Sequence, residues 1–188
     1  DVGTDRGAVY LYSFSDSSFS GGVLQGIIGQ GYTGGKNINL ALDNSDYFGS
    51  AVSLDGNRLA VGAYLDDGLA NVGADRGAVY LFNFADSVFT GGTLTATIGQ
   101  GYTGGKNINQ ALDNSDYFGW SVSLDGNRLA VGAQRDDGLA NVGTDRGAVY
   151  LYTFSDSAFT GGALTATLGQ GYVGGKNINQ ALDNSDYF

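Results

Sequence analysis

A tandem repeat of 70 residues limits the folds available to this chain more than any other feature of its sequence. The segment from Asp46 to Phe82 recurs with few changes from Asp116 to Tyr152. Residues 49–118 and 119–188 differ at only 12 of 70 positions. We therefore predict a partial repeat at 1–48 followed by whole repeats at 49–118 and 119–188. Because the chain begins and ends in mid-repeat, we expect it to be part of a longer polypeptide.

The composition favours loops and strands and excludes several classes of partner. All 19 acidic residues are Asp, there are 33 Gly, and Pro, Cys, His and Met are absent. Asp and Gly favour turns, whereas the missing Glu favours helices. The net charge of −10 argues against nucleic acid as a partner. No apolar run approaches the roughly 20 residues that cross a bilayer, so membrane insertion is not expected.

Four strands are predicted in each repeat. In the last repeat they are Trp120–Leu124, Arg128–Ala133, Ala148–Phe154 and Ala163–Leu168. Asp125-Gly126-Asn127 predicts a tight hairpin between the first two. The third is apolar on both faces, which indicates cover on both sides, and the fourth alternates Thr with apolar residues, which indicates one wet face.

The predicted fold class is therefore all-β, with one four-stranded antiparallel sheet per 70-residue repeat. Sheets of this kind stack face to face, either as the blades of a β-propeller or as an open linear stack that forms a fibre. A propeller needs about four to eight blades, and this chain supplies fewer than three. An open stack leaves its end strands available for addition of further copies.

The order of the motifs resembles the FG-GAP repeat, the blade repeat of integrin α-subunit propellers and of many bacterial surface proteins. Phe118-Gly119 is followed by a strand, a turn, Val131-Gly132-Ala133, an Asp/Gly loop and Gly147-Ala148-Val149-Tyr150. The resemblance implies propeller blades that act in adhesion rather than catalysis, and it favours the closed form. The calcium loop of integrin blades lies between the first two strands, where this chain has only Asp125-Gly126-Asn127, so that site does not carry over.

Catalysis is not expected, because a chain without His and Cys lacks the usual triads and thiol nucleophiles. Calcium is the predicted cofactor, since the loop after the second strand offers hard oxygen ligands. The predicted ligands in the two whole repeats are Asp66, Asp67, Asn71, Asp75, Asp136, Asp137, Asn141 and Asp145. The alternative is that Asp137-Gly138 is a turn and that Asp145 pairs with Arg146 or caps the loop.

Three further features carry alternative interpretations. Asp113, Asn114 and Asp116 form a second candidate cation site, but a turn stabilised by a side chain is the preferred interpretation. Trp120 replaces Ser50, and packing between repeats is favoured over a role in binding sugar or protein. Each repeat has one lysine (Lys36, Lys106 and Lys176) that either reaches a neighbouring copy or is solvated.

These observations predict a non-catalytic structural or adhesive module of a long extracellular bacterial surface or filament protein. The alternative is a propeller that binds a ligand or glycan, at a site the sequence does not locate. The expected partners are neighbouring copies of the same repeat, through self-assembly, and a host or cell-surface protein or glycan.

Overall fold

The computed structural model describes residues 3–188, which form three β-sheets in succession along the chain. Sheet 1 consists of β1 (Ala8–Ser13), β2 (Val23–Gly29) and β3 (Ile38–Asn39). Sheet 2 consists of β4 (Ala51–Asp55), β5 (Arg58–Ala63), β6 (Ala78–Asn83), β7 (Thr93–Gly99) and β8 (Ile108–Asn109). Sheet 3 consists of β9 (Phe118–Asp125), β10 (Arg128–Ala133), β11 (Ala148–Thr153), β12 (Ala163–Gly169) and β13 (Ile178–Asn179). Two 3-10 turns, Leu69–Asn71 and Leu139–Asn141, are the helical segments of this range, and neither is long and apolar enough to cross a membrane.

The all-β prediction is confirmed, and the predicted strands lie close to the observed ones. β10 has the predicted bounds, and β11 and β12 each differ from prediction by one residue at the end. β9 begins earlier than predicted, at Phe118. The hairpin between β9 and β10 forms as expected, with Gly126 at a φ of 54°, a conformation in which Gly avoids the strain of a side chain.

Each whole repeat has a short fifth strand that the sequence analysis missed. After four antiparallel strands, the Gly-rich connection returns to pair two residues in parallel with the outer strand. Asn side chains fix this return, because Asn107 Oδ1 accepts from the Thr97 amide at 2.8 Å and Asn109 Oδ1 accepts from the Gly101 amide at 2.7 Å. A pattern of two residues is too short to predict a strand from periodicity.

The connection also corrects the prediction of a wet face on the fourth strand. Thr97 and Thr167 are buried, with exposed fractions of 4% and 3%. Their amides bond to Asn107 and Asn177, which belong to the returning segment. The alternation of Thr with apolar residues had predicted that this face of the fourth strand is open to solvent. The returning segment covers it at Thr97 and Thr167.

The three sheets stack face to face, and a hydrophobic core fills each of the two joints between them. β6 contributes to both cores, with Tyr80 and Phe82 directed to the joint with sheet 1 and Val79 and Leu81 directed to the joint with sheet 3. This strand is buried on both faces, as the sequence predicted. The sheets are separate and none closes on itself, so the choice between a propeller and an open stack stays a prediction, as do the unit boundaries at 48/49 and 118/119.

A close backbone contact fixes the position of each Phe-Gly motif. Phe118 is fully buried and forms an isolated bridge with Gly77, which precedes β6. Gly77 has a φ of 89°, and a Cβ at this position would collide with the Phe118 carbonyl oxygen. Gly7 and Phe48 make the same contact in the first joint. The motif therefore ties the start of one sheet to the third strand of the sheet before it.

Candidate functional site

The candidate site is the loop that joins β5 to β6 and its copy between β10 and β11. Each loop lies at a joint between sheets, beside a cavity of about 410 Å³. The first cavity is lined in part by Asp43, Asp46, Asp66, Asn71 and Tyr102. The equivalent residues of the next repeat line the second cavity, so the chain carries two versions of one site.

Asp66 is the most buried of the predicted ligands in the first loop, with 4% of its surface exposed. Its Oδ1 accepts from the Gly68 amide at 2.8 Å, which closes a turn. Its Oδ2 accepts from the Tyr80 hydroxyl at 2.6 Å, and the Tyr102 hydroxyl lies 3.2 Å from the same oxygen. Burial raises the pKa of the Asp66 carboxyl, and these hydrogen bonds oppose that rise. Burial also raises the pKa of Tyr80 well above its ordinary value, so this hydroxyl stays a donor.

Asp136 repeats this arrangement almost unchanged. It accepts from the Gly138 amide at 2.7 Å and from the Tyr150 hydroxyl at 2.5 Å, and the Tyr172 hydroxyl lies 3.1 Å away. Burial again raises the pKa of Tyr150 well above its ordinary value. Both carboxylates are therefore held by protein donors inside the joints.

Asp67 and Asp75 stabilise the shape of the loop. Asp67 Oδ1 accepts from the amide of Asp75 at 2.8 Å, and Asp137 Oδ1 accepts from the amide of Asp145 at 2.7 Å. Asp75 has a φ of 53°, in the left-handed region that Asp tolerates better than most residues. Burial raises the pKa of Asp75, and the charge of Asp67 adds to the rise.

Asn71 and Asn141 connect each loop to the chain that precedes it. The Asn71 side chain donates to Asp43 Oδ2 at 3.1 Å, and the Asn141 side chain donates to Asp113 Oδ2 at the same distance. One alternative predicted that Arg146 pairs with Asp145. The Arg146 side chain donates to Asn184 instead. Asp145 instead has Arg135 at 4.0 Å.

The predicted calcium ligands are brought into one loop but not into one cage. Asp66 is directed into the joint toward Tyr80, Asp67 binds a backbone amide, and Asn71 donates to Asp43. Within residues 3–188, no three carboxylates are arranged to hold a metal ion. These side chains, as placed, do not fit a bound calcium ion, and calcium binding stays a prediction.

The second candidate set has the turn that the sequence analysis preferred. Asp116 Oδ2 accepts from the Asp113 amide at 2.7 Å, and Asn114 Oδ1 accepts from the Ala74 amide and from Arg76 Nε. Asp116 is 6% exposed. Burial raises its pKa to about 8, and the charges of Asp136, Asp113 and Asp137 add to the rise.

Asp46, the counterpart of Asp116, was not recognised as a site residue from the sequence. It is 5% exposed, and burial raises its pKa to about 7, with further contributions from Asp66, Asp43 and Asp67. The tyrosines that donate to Asp66 and Asp136 were also missed. Tyr80 and Tyr150 end the Gly-Ala-Val-Tyr sequences at 77–80 and 147–150. Tyr102 and Tyr172 end the Gly-Gln-Gly-Tyr sequences at 99–102 and 169–172, which stand far along the chain from the Asp loop.

Three of the 12 positions at which the whole repeats differ, Tyr64, Trp120 and Arg135, meet in one aromatic cluster. Tyr64 and Trp120 pack edge to face with ring centroids 4.7 Å apart, and Tyr64 also contacts Tyr47 and Tyr117. Arg135 lies over the Tyr117 ring, 4.6 Å from its centroid. Trp120 therefore packs across the joint between sheets 2 and 3, as the preferred interpretation held, but 44% of its surface stays exposed.

Comparison with known families identifies two matching segments. The FG-GAP repeat family matches residues 42–82 and 112–152. Each match begins in the connection before a Phe-Gly motif and ends in the third strand of the sheet, so it contains the loop described above. No curated protein matches the chain.

Proposed function

Since this chain carries two FG-GAP repeats, we propose that it is a non-catalytic structural or adhesive module of a long extracellular bacterial surface or filament protein. FG-GAP repeats indicate a β-propeller-type repeat module, and such repeats are typically non-catalytic. The extracellular setting, the bacterial source and the structural or adhesive role go beyond this family match and are proposed.

One observation supports this function above the others: the buried Asp66 and Asp136 carboxyls at the joints between sheets already accept hydrogen bonds from protein donors. Asp66 is bound by Tyr80 of its own sheet, and its loop is bonded through Asn71 to Asp43, in the connection that follows sheet 1. Asp136, Tyr150 and Asn141 repeat the arrangement. Carboxylates whose oxygens already accept from protein donors serve to hold a structure together. They are poorly suited to acid–base chemistry on a substrate, because such chemistry needs a group within reach of that substrate.

The test combines imaging with a binding screen on the native, full-length material. Negative-stain electron microscopy is expected to show regular assemblies, either rings or fibres, and hydrolase substrate panels are expected to show no turnover. Turnover that is lost on Asp66→Asn and Asp136→Asn substitution would contradict the proposal.

A ligand-binding function is the second candidate, and one observation favours it. The two whole repeats are nearly identical, yet Tyr64, Trp120 and Arg135, three of the positions at which they differ, meet at one partly exposed cluster with Tyr117. Exposed aromatic rings offer a platform for sugar or protein. Binding on a glycan array that is lost in Trp120→Ser would support this function, and an array with no signal would contradict it.

A further inference from the structure

The two cavities at the joints between sheets combine deep carboxyl groups with an apolar opening. Asp46 and Asp66 line the first cavity and are 5% and 4% exposed. Leu69 and Leu94 line the same cavity and are 48% and 40% exposed. The volume of each cavity is about 410 Å³, within the range of roughly 300–1,000 Å³ that is typical of ligand pockets. This combination suits a ligand group with a charged end and an apolar stem.

The leucines at the opening do not owe their exposure to the ends of the sequence. Leu94 is 40% exposed although sheet 3 follows it, and its counterpart Leu164, in the last sheet, is 41% exposed. Leu69 and Leu139 agree in the same way, at 48% and 47%. The second cavity, between sheets 2 and 3, has the same volume and the same lining positions as the first. Both cavities are therefore features of an internal joint.

Asp46 keeps one carboxylate oxygen without a protein partner. Its Oδ2 accepts from the Asp43 amide at 2.7 Å, whereas no donor among residues 3–188 reaches Oδ1, which stays accessible from the cavity. Asp116 repeats the arrangement with the Asp113 amide. Asp66 differs, because both of its oxygens accept from protein donors. Asp46 is thus a side chain more than nine-tenths buried whose free acceptor opens on the cavity.

No basic side chain of the described residues neutralises these carboxyl groups. The ion pairs within residues 3–188 join Arg58 to Asp55, Arg128 to Asp125 and Arg135 to Asp145, and none of the six lines the two cavities at the joints. Burying a carboxylate without a counter-ion is costly, and a cation that enters the cavity removes that cost. The net charge of −10 also attracts cations to the chain as a whole.

The free oxygen and the apolar opening select one class of cation. A metal ion needs several oxygens around it, and no three carboxylates of the described range are arranged to hold one. A guanidinium group binds best to both oxygens of one carboxylate, but the Asp43 amide already occupies Asp46 Oδ2. A primary ammonium group is a point charge on an aliphatic stem, so it suits the single oxygen Oδ1 and buries its stem against Leu69 and Leu94.

We propose that each cavity binds the side chain of a lysine from a partner polypeptide. The ammonium group donates to Asp46 Oδ1 in the first cavity and to Asp116 Oδ1 in the second. This inference rests on the proposed adhesive function and names the chemistry of the partner. The same cavity recurs once per repeat, so a partner with suitably spaced lysines engages both and gains affinity from the second contact, as a free amine does not.

The test is an NMR titration of the 188-residue chain that follows the backbone amides of Asp46 and Asp116. The ligand is the tripeptide amide acetyl-Gly-Lys-Gly, its matched control is acetyl-Gly-Arg-Gly, and butylammonium chloride represents the free amine. The lysine peptide is expected to shift both amides in a saturable manner and to bind more tightly than the arginine peptide. This comparison needs only the unmodified chain, so it does not depend on how any variant folds.

The double variant Asp46→Asn and Asp116→Asn removes the charge that holds the ammonium group. We expect it to bind the lysine peptide roughly tenfold more weakly or less tightly still, because hydrogen bonds between charged groups are the stronger class. Asp86→Asn combined with Asp156→Asn is the control, since it removes the same charge outside both cavities and is expected to leave the affinity unchanged.

Four results overturn the proposal. They are a lysine peptide that causes no saturable shift, equal affinity for the two peptides, affinity that survives in Asp46→Asn with Asp116→Asn, and binding of butylammonium without binding of the peptide. These results are separable from the test of the structural role. A chain that binds no lysine peptide and turns over no substrate loses this partner and keeps the non-catalytic role.

Discussion

The Tyr80 hydroxyl donates a hydrogen bond of 2.6 Å to the Asp66 carboxylate, and both side chains are buried at the joint between sheets 1 and 2. A carboxylate in this position depends on its donors, because burying a charged group without a partner costs several times more than the bond itself contributes. The stability of the joint therefore depends on this hydrogen bond, and a substitution that removes the donor without changing the shape of the side chain is expected to lower it.

Tyr80→Phe tests this dependence, because it removes the donor and preserves the ring. We expect a loss of about 1–3 kcal/mol in the free energy of unfolding, measured by urea denaturation. Tyr10→Phe is the matched control, since Tyr10 occupies the same repeat position and is 52% exposed. Equal denaturation midpoints for the two variants would show that the buried bond contributes nothing.

The joints are expected to weaken as pH rises through 7 to 8. Burial raises the pKa of Asp46 to about 7 and that of Asp116 to about 8, from 3.8, and neighbouring carboxylates add to both shifts. The groups that face Asp46 are Asp43, Asp66 and Asp67. A carboxyl whose pKa is higher in the folded state contributes stability that is complete below the unfolded pKa and is lost as pH rises through the folded value.

Thermal unfolding between pH 5 and pH 9 measures this effect, and the melting temperature is expected to fall across the range. The double variant Asp46→Asn and Asp116→Asn is expected to flatten the dependence, because Asn accepts the same amide hydrogen bond without ionising. A melting temperature that rises with pH in the unmodified chain would contradict the assignment.

Calcium binding by the Asp loops requires Asp66 and Asp67 to exchange protein donors for the ion. Such binding is expected to raise the melting temperature at saturating calcium, since a ligand that binds only the folded state stabilises it. The rise should disappear in Asp67→Asn combined with Asp137→Asn. Identical melting curves in calcium and in chelator would exclude a role for the ion in the fold.

Trp120→Ser introduces the residue that the preceding repeat has at the equivalent position, Ser50. We expect a loss of about 1 kcal/mol, because the edge-to-face contact with Tyr64 disappears. Tyr64→Gln removes the same contact from the other side. The double variant is therefore expected to cost less than the sum of the two single changes, and strict additivity would mean that the rings do not stabilise each other.

Lys36, Lys106 and Lys176 occupy equivalent positions, but only Lys36 and Lys106 bond to a following repeat, so Lys176 is the control for the other two. At concentrations where the chain is monomeric, Lys36→Ala and Lys106→Ala are each expected to lower the free energy of unfolding by about 0.5–1.5 kcal/mol, because each Nζ donates to a carbonyl of the next repeat at a solvent-exposed position. Lys176→Ala is expected to change nothing under the same conditions. Equal losses in all three would mean that the bonds across the joints are not the cause.

Local features of the fold could be predicted from the sequence, and contacts between distant segments could not. The hairpin at Gly126 and the bounds of β10 follow from turn chemistry and alternation within a few residues. The bond from Tyr80 to Asp66 depends on how β6 and the loop before it are placed, which no periodicity encodes. Nor does the sequence distinguish an Asp that lies open in a loop from one that is 4% exposed, such as Asp66.

β6 has one face for the sheet before it and another for the sheet after it, and every repeat presents the same pair of faces. A gene duplication that copies one 70-residue unit in frame therefore inserts a segment that already matches both of its neighbours. Such an array can lengthen or shorten by unequal recombination without any compensating substitution. A substitution in β6 bears on two joints at once, so selection is expected to act more strongly there than on the loops.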